Sequence, residues 1–86
     1  SAEVLVEKFD EKENSIHIMS VIYVERDSQK GILIGKGGER IKRVGIEARK
    51  DIEKFFGKRV YLELYVKIEK DWRNRENKLR AFGYIE

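Results

Sequence analysis

The chain has 86 residues, 41% of them charged, with 19 Lys and Arg against 16 Asp and Glu and no cysteine. One domain of this size buries roughly 60–65% of its unfolded surface, enough to fold unaided, while the lack of cysteine excludes a disulfide framework or a thiolate metal site and fits a reducing, cytoplasmic compartment. No apolar run approaches the ~18 residues of a membrane-spanning helix and no charged-then-apolar leader opens the chain, so a soluble single domain over residues 1–86 is expected.

The first element in chain order is a strand in which Val4 and Val6 alternate with Glu3, Leu5 and Glu7, giving one apolar and one mixed face. Asp10 to Asn14 reads as a polar turn. The run from Ile16 to Val24 is rich in β-branched residues, with Ile16, Ile18, Ile22 and Val24 on one face, and predicts the second strand of a hairpin. Asp27 or Ser28 is suited to cap a short helix beginning near Gln29 and ending at Gly35.

A second helix follows from Glu39, where Ile41, Val44, Ala48, Ile52 and Phe55 form an apolar stripe and Arg40, Arg43, Lys50 and Lys54 run beside it. Gly57 stands where a left-handed residue ends a helix. From Val60 to Glu69 apolar and polar residues alternate, the clearest strand pattern in the chain. Asp71 then opens a last helix carrying Trp72, Leu79 and Phe82, with Gly83 as its stop. The order β-β-α-α-β-α predicts an α+β fold of two layers: a three-stranded mixed sheet with its helices on one face. The first two strands pair antiparallel, and the second and third run parallel through a right-handed crossover.

Charge is unevenly spread along this order. Residues 1–29 hold three Lys and Arg against seven Asp and Glu, residues 30–50 hold seven against two, and residues 51–86 hold nine against seven. The positive charge gathers on the stretch between the two middle helices and on the helix after it, a local basic patch of the kind that meets nucleic acid. A solvated helix face is the plainer reading of such charge. The adjoining sequence Gly35-Lys36-Gly37-Gly38 argues for more.

Three glycines in four positions permit positive φ and close approach of another backbone. Lys36 adds a cation, and the helix starting after the turn points its unpaired N–H groups and positive dipole end outward. A phosphate is the ligand this chemistry suits. The nucleotide P-loop G-x-x-x-x-G-K-[ST] does not fit, because Gly31 lies four positions before Gly35 and Gly37 follows Lys36; nor does G-x-G-x-x-G, where Arg40 takes the place of the third glycine. What matches is G-x-x-G between two helices, the loop with which KH domains clamp a single-stranded nucleic acid backbone.

Other chemistry has little support. The single His17 lies mid-strand opposite Ile16 and Ile18, and the carboxylates are spread over ordinary surfaces, so neither a catalytic group nor a metal site stands out and no cofactor is implied. Tyr61 and Tyr65 of the third strand, with Tyr23 of the second, project from the sheet face away from the helices. They suit base stacking, but Glu25, Glu63 and Glu69 beside them repel phosphate, so cross-strand pairs or a seat for another domain is the better reading. Glu39 reads as a helix-dipole partner.

Longer runs now add to the glycine loop. The segment from Tyr23 to Gly31, then Ile34 to Gly38, Gly45 to Asp51, Val60 to Lys67, and the ending from Asp71-Trp72 through Leu79-Arg80 to Gly83-Tyr84 together resemble the C-terminal KH domain of the Era family of ribosome-associated GTPases. That resemblance implies a type II KH fold that binds the single-stranded 3′ end of small-subunit ribosomal RNA during assembly of the small ribosomal subunit. It also implies association of the family with the membrane periphery. Matched by position, Gly35, Lys36, Gly37 and Gly38 resemble the backbone clamp. Ile32, Ile34 and Ile41 resemble the apolar floor for bases, and Arg40 and Arg43 would flank the RNA backbone.

The family's upstream GTPase domain and the helix entering the first strand have no counterpart in these residues, so no enzymatic activity is expected of them and self-association through uncovered apolar surface is. Two further readings stand beside this one. One is a KH domain of another ribosomal or transcription factor; the other is an interaction module whose basic helix docks on an acidic partner or a membrane surface and is indifferent to the glycines.

Overall fold

The computed structural model describes residues 2–70; the helix expected over 71–83 lies outside them. The elements are β1 (Ala2–Glu11), β2 (Ser15–Val24), α1 (Asp27–Ile34), a single 3-10 turn (Lys36–Gly38), α2 (Glu39–Phe56) and β3 (Arg59–Ile68). The sheet order is β1-β2-β3, with β1 antiparallel and β3 parallel to the central β2, as the alternation patterns imply. Ile16, Ile18 and Val60 are buried together under Ile52 of α2, with Leu62 beside them. Full burial of such side chains stabilises by roughly 1.5–3 kcal/mol each.

β1 departs from the sequence expectation in two ways. It runs through Asp10 and Glu11, which pair with His17 and Ile16, so the turn shrinks to residues 12–14 and is closed by Lys12 N–H donating to Ser15 O at 2.8 Å. Polar side chains do not interrupt the ladder, because on an edge strand they reach water while the backbone pairs. Lys58 Nζ pins this end, donating to Glu11 Oε2 at 2.8 Å and to the Lys12 carbonyl at 2.9 Å. The second departure is a bulge between Val6 and Lys8. The extra residue shifts the parity, so Val4, Val6 and Phe9, opposite Ile22, Ser20 and Ile18, all lie on the helix side. Phe9 meets Phe56 of α2 there with ring centroids 5.8 Å apart.

The helices cover one side, as expected, but β2 is buried on both of its faces from Ser20 to Val24. Val21, directed away from the helices, is 1% exposed and lies between Leu5 and Tyr65 of the two neighbouring strands. The central position thus shields side chains that a strand-by-strand reading leaves to solvent.

α1 begins at Asp27, two residues before the expected start. Neither Asp27 nor Ser28 caps it; Arg26 is the N-cap, and Gln29 Oε1 reaches back to accept from the N–H groups of Arg26 at 2.9 Å and Glu25 at 3.0 Å. α2 ends at Gly57 in the left-handed region, φ 66° and ψ 29°, as expected. Its inward stripe differs: Ile41, Gly45, Ala48 and Ile52 face the sheet, whereas Val44 and Phe55 sit at the margin of that face and Phe55 is 83% exposed. Spacings of four, three and four keep those inward residues on one line, which 44 and 55 flank. Glu53 joins the helix to β3 by accepting from Arg49 Nη1 at 3.3 Å and from Val60 N–H at 2.9 Å.

Candidate functional site

The loop between α1 and α2 is made of bonds that only glycine backbones allow. Gly35 N–H donates to Gly31 O at 2.9 Å to finish α1, Gly38 N–H donates to Gly35 O at 3.1 Å, and Glu39 N–H closes on Lys36 O to start α2. Gly35 has φ 75° and ψ 175°, a region that is essentially glycine's alone. Gly37 (φ 62°, ψ 18°) and Gly38 (φ 76°, ψ 12°) are left-handed. Three successive positive-φ residues bracketing Lys36 turn the chain sharply between two helices and carry Lys36 and Gly37 to the exposed tip.

The space around these glycines separates them. A Cβ on Gly35 would stand 2.8 Å from Arg40 Cβ and 3.2 Å from Arg40 N, so packing of the loop against the start of α2 excludes any side chain there. A Cβ on Gly37 or Gly38 would meet nothing within 4 Å. Their neighbourhood is open, and the room beside the tip is not filled by the protein.

The tip is also electropositive. Among the described residues the ion pairs are His17 with Glu63, Arg49 with Glu53, and Lys58 with Glu11, so no carboxylate neutralises Lys36, Arg40, Lys42 or Arg43. Arg40 and Arg43 are exposed, as is Glu39 in the first turn of α2. No group of His, Asp and Glu among the described residues is arranged to hold a metal ion.

Two hollows flank the helix pair, and they divide the expected apolar floor. Ile41 lines a groove of about 310 Å³ between α2 and β3, together with Gly45, Ile46, Leu62 and Leu64 and with Lys42 and Arg49 at its rim. Ile32, 63% exposed, instead lines a hollow of similar size with Ala2, Val24, Gln29, Leu33 and Arg40. Ile34 is half-buried at the end of α1, and Arg43 lines neither hollow. The expected floor of Ile32, Ile34 and Ile41 is thus not one surface.

The α2–β3 groove is what residue-by-residue reading of the glycine loop missed. Gly45 opens it. A mid-helix glycine costs about 0.8–1 kcal/mol against alanine, and Gly45 has no positive φ to explain it. A Cβ there would lie 3.5 Å from Leu64 Cδ1, an ordinary contact, so glycine is not forced by packing either; its effect is to leave the groove unfilled. That unfavourable glycine was the available signal.

A three-stranded sheet backed by two helices, with an open, cationic glycine turn joining those helices beside an apolar groove, is an α+β module built to present a backbone clamp. The sequence pattern of the KH domain family matches residues 1–73, and the chain belongs to that family. The structure is similar to Aquifex aeolicus Era in a variant bound to GDP and AlF4−, at TM-score 0.82 and 39% identity. It is equally similar, by the same two measures, to Era in complex with MgGDPNP and nucleotides 1506–1542 of 16S ribosomal RNA. Both matches cover all of this chain and 30% of the Era chain, so these residues span under a third of the proteins they match. The resemblance to the KH domain of Era carried by the sequence is met by the fold.

Proposed function

We propose that this chain binds single-stranded RNA by seating the sugar-phosphate backbone on Gly35 to Gly38 and laying bases into the groove between α2 and β3. The observation that carries the reading is the vacancy at Gly37 and Gly38: both backbones stand in conformations that favour glycine, with open space where side chains would be. Lys36, Arg40, Lys42 and Arg43, free of carboxylate partners among the described residues, supply the attraction to phosphate. Ile41, Ile46, Leu62 and Leu64 supply an apolar floor, and base edges packed there supply sequence preference. Duplex RNA keeps its bases stacked and cannot lay them in such a groove.

The similar Era structure holding 16S ribosomal RNA nucleotides supports a ribosomal target, and the RNA we propose is the 3′ end of the small-subunit ribosomal RNA, met during ribosome assembly. We treat residues 1–86 as one RNA-binding domain. The motif G-x-x-x-x-G-K-[ST] does not occur in them, so no nucleotide hydrolysis is assigned to this stretch. The test is a titration with a single-stranded oligonucleotide of the 3′-end sequence, a scrambled strand, and a duplex of equal length. Tight binding of the first, weaker binding of the second and weakest binding of the duplex is expected; equal affinity for all three would reduce the site to a basic patch.

A further inference from the structure

The side of the sheet away from the helices carries a second constructed feature, independent of the RNA reading. At its hairpin end lies a hollow of about 510 Å³ lined by Asp10, Lys12, Ser15, His17, Tyr61 and Glu63. Its central group is the Glu63 carboxylate. Tyr65 Oη donates to Glu63 Oε1 at 2.8 Å, and His17 Nε2 donates to Glu63 Oε2 at 2.5 Å across the strand pair. Each carboxylate oxygen has two acceptor positions, so one remains on each, side by side and directed away from the strands that hold the group. Those two bonds, Tyr65 first and His17 second, also hold the Glu63 carboxyl below the usual carboxylate range, so it is ionised at neutral pH.

Two parallel acceptor positions on a fixed, charged carboxylate match the two-toothed edge of a guanidinium. Tyr61, 54% exposed beside Glu63, offers a ring face on which that planar cation stacks, and Asp10 adds a second negative charge against the single cation Lys12. The chain's own Arg59 makes no ion pair with Glu63. A phosphate backbone is repelled here by Glu63 and Asp10, and by Glu7, whose carboxylate is held on the same face by Tyr23 Oη at 3.1 Å. We propose that this hollow is a docking site for an arginine side chain presented by a protein partner.

The experiment is an NMR titration of the full chain with three probes: the peptide acetyl-Gly-Arg-Arg-Gly-amide, its lysine counterpart, and a short single-stranded oligouridylate. The arginine peptide should shift the signals of His17, Tyr61 and Glu63 saturably and bind at least threefold more tightly than the lysine peptide. The oligouridylate should leave those signals in place. Glu63→Gln, which removes the charge and keeps the size, should weaken the arginine peptide at least fivefold without changing the RNA titration. Tyr61→Leu, which leaves the carboxylate and its two bonds intact, should give a smaller loss of the same kind. Equal binding of the two peptides, indifference to Glu63→Gln, or no saturation up to the solubility of the peptide would each overturn the proposal. Shifts of these signals by oligouridylate would also overturn it and assign the face to nucleic acid.

Discussion

The base of the glycine loop and its tip lie two residues apart and answer to opposite constraints. At the base, Gly35 is glycine because the protein itself leaves no room: a Cβ would run into Arg40 at 2.8 Å. At the tip, Gly37 and Gly38 have nothing within 4 Å of where a Cβ would be, so packing does not account for them. Positive φ alone favours glycine, yet a single left-handed residue costs an L-amino acid only about 1–2 kcal/mol, and Asn and Asp often take that conformation. The comparison separates a glycine that the fold needs from glycines that a ligand needs.

The largest effect that tests this separation is on stability. Gly35→Ala combines a disallowed backbone region with overlap against the first turn of α2, and should cost about 3 kcal/mol. For a domain with marginal stability that is a large fraction of the total, visible as a lower midpoint in urea. Gly37→Ala should cost about 1 kcal/mol, because only the backbone term applies. Equal losses at the two positions would erase the distinction between base and tip.

Next in size is the effect on binding at the tip. Lys36→Asp together with Gly37→Asp removes one cation and adds two anions where the RNA backbone is proposed to sit. The far-ultraviolet circular dichroism should be retained while affinity for the single-stranded oligonucleotide falls about fiftyfold, or about 2.3 kcal/mol. A folded double variant that binds as the parent does would remove the clamp.

Much of this was legible in the sequence for a physical reason: the two glycines that end helices and the period-two runs that make strands act locally, so Gly35, Gly57 and the alternation from Val60 to Ile68 declare themselves. The features that were not legible depend on partners far along the chain. The start of α1 is set by Gln29 reaching back to two N–H groups rather than by a capping Asp or Ser. The bulge in β1 leaves one trace, the odd step from Val6 to Phe9, which becomes meaningful only once both are seen on the helix side. The groove required knowing that β3 runs beside α2, because only Leu62 and Leu64 turn Gly45 from a weak helix residue into an opening.

Gly45 therefore gives a prediction in which stability and binding move in opposite directions. Gly45→Ala should raise stability by about 0.5–1 kcal/mol, since alanine favours the helix and its Cβ would make an ordinary contact with Leu64. The same methyl narrows the groove and should weaken RNA binding about threefold, a factor worth about 0.6 kcal/mol. A variant that gains stability and keeps full affinity would show that bases do not enter the groove at that point.

The smallest effect expected is at Arg43, and it distinguishes charge from contact within the basic face. Arg43 is exposed, lines neither hollow and has no carboxylate partner among the described residues, so its part in binding is that of a cation near the RNA backbone. One phosphate contact to a single strand contributes about 0.7 to the slope of log affinity against log salt. Arg43→Ala should flatten that slope by about this amount and weaken binding about twofold near physiological salt, equally for the ribosomal and scrambled strands. An unchanged slope would mean that the backbone does not pass Arg43. A loss confined to the ribosomal strand would mean that Arg43 reads a base, which would extend the recognition surface beyond the groove and onto the outer face of α2.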